Sequence, residues 1–519
     1  MEINKNTRYV KNVKCQDVYT ESRAEYTIPD YCGDMRKILF TDASLRPSGR
    51  FAGGDEVEFS GIVVYNVVYL DAEGELCSAE FSSDYDYSVK CSGENYKEST
   101  SETKISNYAV RLMGPRRISA TASLVGSVRI SEDAEISISG SAFDGDSSPE
   151  VNTKMVALRR TGLSETVERE YAEQMVSLDG AIADEVSVIY SNAEPIVESV
   201  DSMENSVNIK GRIQVISIVK NGDQNAFCIE KSIPFDENIA FDGADTYLKV
   251  LPEILVTSIK STVNATESGC EIVMNLILEM YAIGERNDNV SIVTDGYLKN
   301  SETENRYSDM PTSCIVSIEA VRGVHNAEID KSDIEADSVG EIVFVTATPK
   351  IERVEMDDDA VSIVGEIRYS GVACNTIDDN KNYFALKFTS PFATNVNYNC
   401  HNNKNLRPEV KVIARSAMAS VDSNKIYASC SLESLAVICR DGTETILSSS
   451  VKVDGGLAES IESGITVYYP DSSDTLFSVA KRFRTSSMKI AMDNNISDVV
   501  FAGDNSEGIL AGVRKLLIY

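Results

Sequence analysis

Gly53-Gly54-Asp55-Glu56-Val57 sets two carboxylates directly after a glycine pair. Such a hairpin could bring backbone and acid groups against nucleotide phosphates and a divalent cation. Asp357-Asp358-Asp359 gathers three more acids at one point, without the ligand spacing of an EF-hand loop. Any nucleophile activated by histidine would have to use His325 or His401, the only two in the chain. His325 sits in the generic setting Gly323-Val324-His325-Asn326. Cys400 adjoins His401, but adjacency gives no ligand geometry, and neither histidine has a cysteine at finger-like spacing. Phosphate-binding Gly-x-x-x-x-Gly-Lys-Ser/Thr, the Gly-x-Ser-x-Gly elbow and His-Glu-x-x-His are all missing. Among 81 acidic residues a chance carboxylate pair is expected. The expectation is a non-enzymatic protein that uses no metal and no cofactor.

The elements around these residues decide how they are read. One phrase occurs three times, as Ile38-Leu39-Phe40-Thr41-Asp42-Ala43, Val188-Ile189-Tyr190-Ser191-Asn192-Ala193 and Ile342-Val343-Phe344-Val345-Thr346-Ala347. Each copy lies 23 residues ahead of a glycine, Gly61, Gly211 or Gly365. Glycines 150 and 154 residues apart imply a repeat unit of domain size. Around each glycine apolar side chains alternate (Val57, Phe59, Val63, Tyr65 in the first copy), so a strand is expected there, with the glycine at a bulge or a close backbone approach. About ten residues on, Asp71-Ala72-Glu73-Gly74, Asn221-Gly222-Asp223 and Asn375 to Asn382 predict turns. The return strands carry Tyr85/Val89, Phe235/Ile239 and Phe392/Val396, and copy three holds three extra residues, expected in its loop. Pro252-Glu253-Ile254 and Pro408-Glu409-Val410 recur before the last strands of copies two and three, whereas copy one lacks the proline. Gly53-Gly54-Asp55-Glu56 is one residue from the signature of diguanylate cyclases. Its counterparts, Met203-Glu204-Asn205-Ser206 and Asp357-Asp358-Asp359-Ala360, are polar turns before strands, and the repeat predicts a turn here without any nucleotide.

A chain of 519 residues has room for three or four domains. Polar, turn-rich stretches divide it into 1–142, 156–298, 312–447 and 465–519. The repeats read as strand and turn, save Ser164 to Met175, whose Val167 and Tyr171 are about one helical turn apart and predict a short amphipathic helix. The fold class expected is mostly all-β: three related sandwich- or barrel-like domains in tandem, then a small α+β module. The net charge of −32 falls on the repeats, because residues 465–519 hold six acids and six bases. Nucleic acid and anionic lipid are poor partners for such a surface. No run approaches the ~18 apolar residues of a membrane span, and the start of the chain has no apolar core of signal-peptide length. Eleven cysteines, odd in number and without a Cys-x-x-Cys pair, read as reduced; Cys228, Cys430 and Cys439 fall in strand-like runs as small core residues.

The last 55 residues change period. After the strand-like Val467-Tyr468-Tyr469, Asp474 can cap a helix with Leu476, Val479, Ala480 and Phe483 on one face. Thr485 or Ser486 can cap a second helix carrying Met488, Ile490, Ala491 and Asn494, and Leu516-Leu517-Ile518 predicts a closing strand. With Asp474-Thr475-Leu476, Phe477, Ala480, Phe483, Thr485, Asn494, Ile496 and Gly512 in register, this tail resembles a LysM module. It departs from the family at Ser473 and near Arg484, where glycine is usual, at Phe477, where tryptophan is common, and in the longer stretch 498–507. The resemblance implies a groove between Ser473, Asp474, Thr475 and Leu476 on one wall and Asn494, Asn495 and Ile496 on the other. Its occupant would be an N-acetylglucosamine polymer such as peptidoglycan, or a protein partner. Lys481, Arg482, Arg484 and Lys489 cluster along the helices, with Leu476 and Phe477 as anchors should they be exposed.

Together with Pro234-Phe235 and Pro391-Phe392 near the ends of the return strands, the repeated phrase and its glycine strand resemble SPOCS domains. Several SPOCS domains followed by a LysM resemble the clostridial spore-coat assembly proteins that partner the coat's morphogenetic ATPase. That resemblance implies an adaptor made in the mother-cell cytoplasm and recruited to the forespore surface. The alternative it leaves open is a protein that binds peptidoglycan of the cortex or cell wall.

Overall fold

Valine, isoleucine and aromatic side chains at alternate positions suit a pleated chain with one face buried. Strands accordingly account for most of the computed structural model. It describes residues 6–30, 32–53, 55–91, 96–143, 149–222, 226–334, 339–377, 380–400, 404–453, 464–471, 473–496, 510 and 513–519.

Copy one of the repeat supplies β1 (Asn6–Thr27), β2 (Met35–Gly53), β3 (Glu56–Asp71), β4 (Leu76–Lys90), β5 (Tyr96–Gly114) and β6 (Arg117–Ser137). They form two antiparallel sheets, β1-β6-β5 and β2-β3-β4. Copy two supplies β7 (Glu150–Leu163), β8 (Val167–Asp179), β9 (Val186–Met203), β10 (Ser206–Asn221), β11 (Phe227–Ala240), β12 (Lys249–Ala265) and β13 (Gly269–Tyr297). The order is the same, β11-β10-β9 and β12-β13-β7, with β8 also on β13. Copy three supplies β14 (Thr303–Asp330), β15 (Glu341–Met356), β16 (Ala360–Ile377), β17 (Asn380–Asn397), β18 (Leu406–Asp422) and β19 (Lys425–Lys452), as β14-β19-β18 and β15-β16-β17. Each pair of sheets encloses its own apolar cluster. Val57, Val63 and Tyr65 meet Ile118, Leu124 and Ile130 in the first. Val207, Ile209 and Ile213 meet Ile272, Met274 and Leu276 in the second, and Val361, Ile363 and Tyr369 meet Ile426, Ala428 and Ile438 in the third.

The repeated glycines are explained by what stands across the ladder. Gly61 pairs with Tyr85, Gly211 with Phe235 and Gly365 with Phe392. A Cβ on Gly211 would lie 2.7 Å from the Phe235 ring and 2.2 Å from the Ile196 carbonyl oxygen, so the aromatic covers the bare backbone. On its other side each glycine faces a bulge, between Pro47 and Gly49, Val197 and Ser199, or Ile351 and Arg353. The close approach expected from sequence is present at each glycine, while the bulge lies on the neighbouring strand.

Asp55 and Glu56 occupy the turn between β2 and β3, since Gly53 pairs with Glu56; Gly54 lies outside the described residues. Met203 pairs with Ser206 across the equivalent turn, with Asn205 at φ 57°, and the Asp357 amide donates to Ala360 O (2.9 Å) in the third. All three acidic stretches are hairpin turns.

Four expectations are corrected. Ser164 to Met175 is not helical: β8 starts at Val167 and pairs with β13. A spacing of four fits one face of a strand as well as one helical turn, and Val167 and Tyr171 both pack on the core. In copy three the ladder runs through Asn375↔Asn382 to Ile377↔Asn380, so the extra residues lengthen a hairpin. β14 begins at Thr303 and pairs to the end of β19 at Lys452, inside stretches expected as linkers. Cys228 is exposed, whereas Cys430 and Cys439 are buried as expected.

Candidate functional site

Each repeated phrase carries a bulge at its second residue, Leu39, Ile189 or Val343. The extra residue turns two consecutive side chains outward from the copy's own core. Ile38, Val188 and Ile342 pack inward on the three cores. The two residues that follow each of them gather in one shared cluster with Val68, Ile218 and Val372. There Phe40 meets Phe344 edge-on with ring centroids 4.9 Å apart, Phe40 meets Tyr190 at 5.2 Å, and Tyr190 stacks on Phe344 at 5.2 Å. Equivalent aromatics from the three copies therefore converge on one point. A parallel bridge from Ser139 to Ser449 ties copy one to copy three, with Ser450 N donating to Ser139 O (2.8 Å).

The last strands bring charge to the same junction. Glu102 and Glu253 each stand three residues before a bulge, and Glu409 repeats the Pro-Glu phrase of Glu253. Lys411 of copy three reaches Glu102 of copy one (3.0 Å) and Glu253 of copy two (2.8 Å). Arg159, only 3% exposed in its side chain, bonds Glu285 through two nitrogens (2.6 and 2.9 Å) and Glu409 at 3.0 Å. Arg129 of copy one joins Glu285 (3.2 Å) and Glu409 (2.9 Å). Burial disfavours the Glu409 carboxylate, but Arg129 and Arg159 overcome it and hold its pKa down at about 2. Burial likewise works against the Lys411 ammonium, and the two glutamates more than offset it, so its pKa is raised.

These groups line a cavity of about 1260 Å³ walled by all three copies. Seven acidic and seven basic residues line it, so the cavity is balanced within a chain of charge −32. Sequence reasoning missed it. The Pro-Glu phrase was its trace in two copies, and Ser101-Glu102 concealed the third.

The tail forms β20 (Thr466–Tyr468), α1 (Leu476–Phe483), α2 (Ser487–Asp493) and β21 (Leu516–Ile518), with β20 antiparallel to β21. Leu476, Val479 and Ala480 are buried with Ile490 and Ala491, and Phe483 packs beside them. The cap of α1 is Thr475 rather than Asp474. Thr475 Oγ1 accepts from the Ser478 amide (3.0 Å), and Ser478 Oγ accepts from the Thr475 amide (2.9 Å). Asp474 instead accepts from the Tyr468 hydroxyl (2.6 Å) and the Asp471 amide (2.9 Å), which lower its pKa.

Among the residues expected to form the two groove walls, Ser473 and Asn495 are exposed, Leu476 is buried and Ile496 packs on the same core. Asn494 donates to Ile490 O (2.8 Å) and Leu517 O (2.7 Å) and accepts from the Leu517 amide (2.6 Å), binding α2 to β21. The expected anchors are occupied: Leu476 is 3% exposed, and Phe477 sits edge-on against Tyr297 of β13 at 5.4 Å. Tyr297 is itself buried and donates to Thr485 O (2.6 Å). Lys481 pairs with Asp295 and Arg484 with Glu302 (2.8 Å), so two of the four cations along the tail's helices tie it to the preceding chain.

His325 Nε2 donates to Pro391 O (3.1 Å) and Nδ1 bonds Tyr369 Oη (2.9 Å), which places it as a partner of a buried tyrosine. His401 lies outside the described residues, and the Cys400 sulfur accepts from Arg440 (2.9 Å). Among the described residues no helix is long and apolar enough to cross a membrane. No family model, no curated protein and no solved structure matches the chain.

Proposed function

We propose that the chain is a non-enzymatic adaptor of spore-coat assembly, in which three SPOCS-like modules form a scaffold and a LysM-like tail docks the coat's morphogenetic ATPase. The observation that carries this reading is the distribution of exposed apolar side chains. Among the described residues, six of the twenty large ones fall in the tail: Ile465, Val467, Tyr469, Met488, Met492 and Tyr519. Ile465, Val467 and Tyr469 alternate along one face of the β20 segment, opposite the helices. Met488 and Met492 are one turn apart on α2. An exposed apolar surface rimmed by charge suits a protein interface. Glycan binding is supported less, because the polar groups of Asp474 and Asn494 are engaged inside the tail. The reading places the protein in the mother-cell cytoplasm, at the forespore surface.

Immobilised full-length protein should retain the purified ATPase, and the Val467→Glu/Tyr469→Glu variant should not while keeping its circular dichroism. Undiminished retention by the variant, or co-sedimentation of the wild type with purified peptidoglycan instead, would overturn the reading.

A further inference from the structure

Arg415 breaks the pattern of the central cavity. The other six cations there, Lys104, Arg129, Arg159, Arg322, Arg407 and Lys411, each have a carboxylate within 3.2 Å. Arg415 also lines the cavity, and its Nε and Nη1 are buried without a hydrogen-bond partner. An unpaired guanidinium nitrogen out of water loses the hydration that a partner would replace. Burial accordingly lowers the pKa of Arg415.

The backbone singles out the same residue. In copies one and two the strand bulges three residues after the shared glutamate, between Ile105 and Asn107 and between Val256 and Ser258. In copy three the ladder is regular there, Val412 pairing with Ser434, and the irregularity is displaced to the stretch between Arg415 and Met418. Ser416 takes φ 52°, a conformation costly for a residue with a Cβ, and its amide donates to Glu194 Oε2 (2.8 Å). A displaced bulge re-aims the side chain beside it, and such departures gather at binding sites. Lys411, Ile413 and Arg415 line the cavity from β18; Leu435 stands across the ladder from Lys411 and Ser431 across from Arg415, so Ile413 is the apolar side chain nearest the cation along the strand. Glu433, the nearest acid by register, is already taken by Arg322 at 2.9 Å.

We propose that the cavity between the three copies is a small-molecule site in which Arg415 binds the oxyanion, carboxylate or phosphate, of a ligand with an apolar body. Arg presents paired N–H donors to an oxyanion, and the six other cations of the cavity already have carboxylate partners. Specificity would come from Ile413 and Leu435, and rejection of cations from the unpaired guanidinium.

The test is thermal unfolding of the full chain at fixed ionic strength with hexanoate, inorganic phosphate or hexylammonium. Ligand at about ten times Kd stabilises by about 1.4 kcal/mol and should raise Tm by about 1 °C if the chain unfolds as one unit. Wild type should respond to hexanoate, phosphate or both, and not to hexylammonium; which anion responds tells carboxylate from phosphate ligands. Arg415→Gln should abolish the response and Arg415→Lys should weaken it, which keeps a result available should the Gln variant fold poorly. Arg117→Gln, on an exposed pair with Glu25, should leave the response intact. No response to either anion, an equal response to hexylammonium, or a response surviving in both Arg415 variants would overturn the proposal.

Discussion

Phe40 and Phe344, 304 positions apart in sequence, meet edge-to-face with ring centroids 4.9 Å apart. The contact makes two copies of the repeat share one buried cluster. Truncating either ring removes transfer energy and leaves a cavity, so Phe40→Ala should cost about 3–5 kcal/mol. The double variant with Phe344→Ala should show a coupling of about 0.5–1.5 kcal/mol in a double-mutant cycle by urea unfolding. Strict additivity would mean that the copies do not depend on each other at this point.

The glycine under each aromatic makes a second expectation. Gly365 would bring a Cβ within 2.1 Å of Lys350 O and 2.9 Å of the Phe392 ring, whereas Gly114 has open space. Gly365→Ala should therefore lower Tm by several degrees, while Gly114→Ala stays within about 0.5 kcal/mol of wild type. Equal effects at both sites would show that strand propensity outweighs the steric clash.

The glycine strands, the hairpin turns and the strand–helix–helix–strand order of the tail were legible because alternation, turn residues and caps act locally. The phrase around Phe40, Tyr190 and Phe344 was legible as a repeat but not as a junction. A strand facing one core and a bulged strand facing two carry similar apolar letters. Glu102 was hidden for a related reason: its role depends on Lys411 from another copy, and nothing near Ser101 announces it. Ser164 to Met175 went wrong because a spacing of four satisfies a helix and a strand alike. Phe477 could be read as an anchor, but only the fold supplies Tyr297 as its cover.

Glu409 sets a pH expectation. Arg129 and Arg159 hold its pKa at about 2, below the ordinary glutamate value, so the folded state binds this proton less readily than the unfolded one. Its contribution is complete above about pH 5 and is lost as pH falls toward 2. At neutral pH it is roughly 2–3 kcal/mol. Glu409→Gln should lower stability at pH 7 and narrow the gap from wild type steadily between pH 5 and 2. Asp42 and Glu194 act in the opposite sense, because burial raises both carboxyl pKa values. Comparing the variant with wild type at each pH removes their contribution, and a gap constant across that range would exclude the ion pair as its source.

Tyr297 is the expected centre of the tail's attachment to the repeats. It is 4% exposed, lies 5.4 Å from the Phe477 ring and donates to the Thr485 carbonyl at 2.6 Å. The ion pairs beside it, Lys481 with Asp295 and Arg484 with Glu302, keep side-chain exposures between 24% and 55%. Partly solvated pairs of this kind are usually worth up to about 1 kcal/mol, whereas losing a buried aromatic costs about 3–5 kcal/mol. Tyr297→Ala should therefore raise amide exchange across 476–493 by at least tenfold, the factor that each 1.4 kcal/mol brings. Asp295→Asn with Glu302→Gln should raise it several-fold at most, and adding salt should reproduce that smaller effect. If the charge variants released the tail as far as Tyr297→Ala, the attachment would be electrostatic and the aromatic contact secondary.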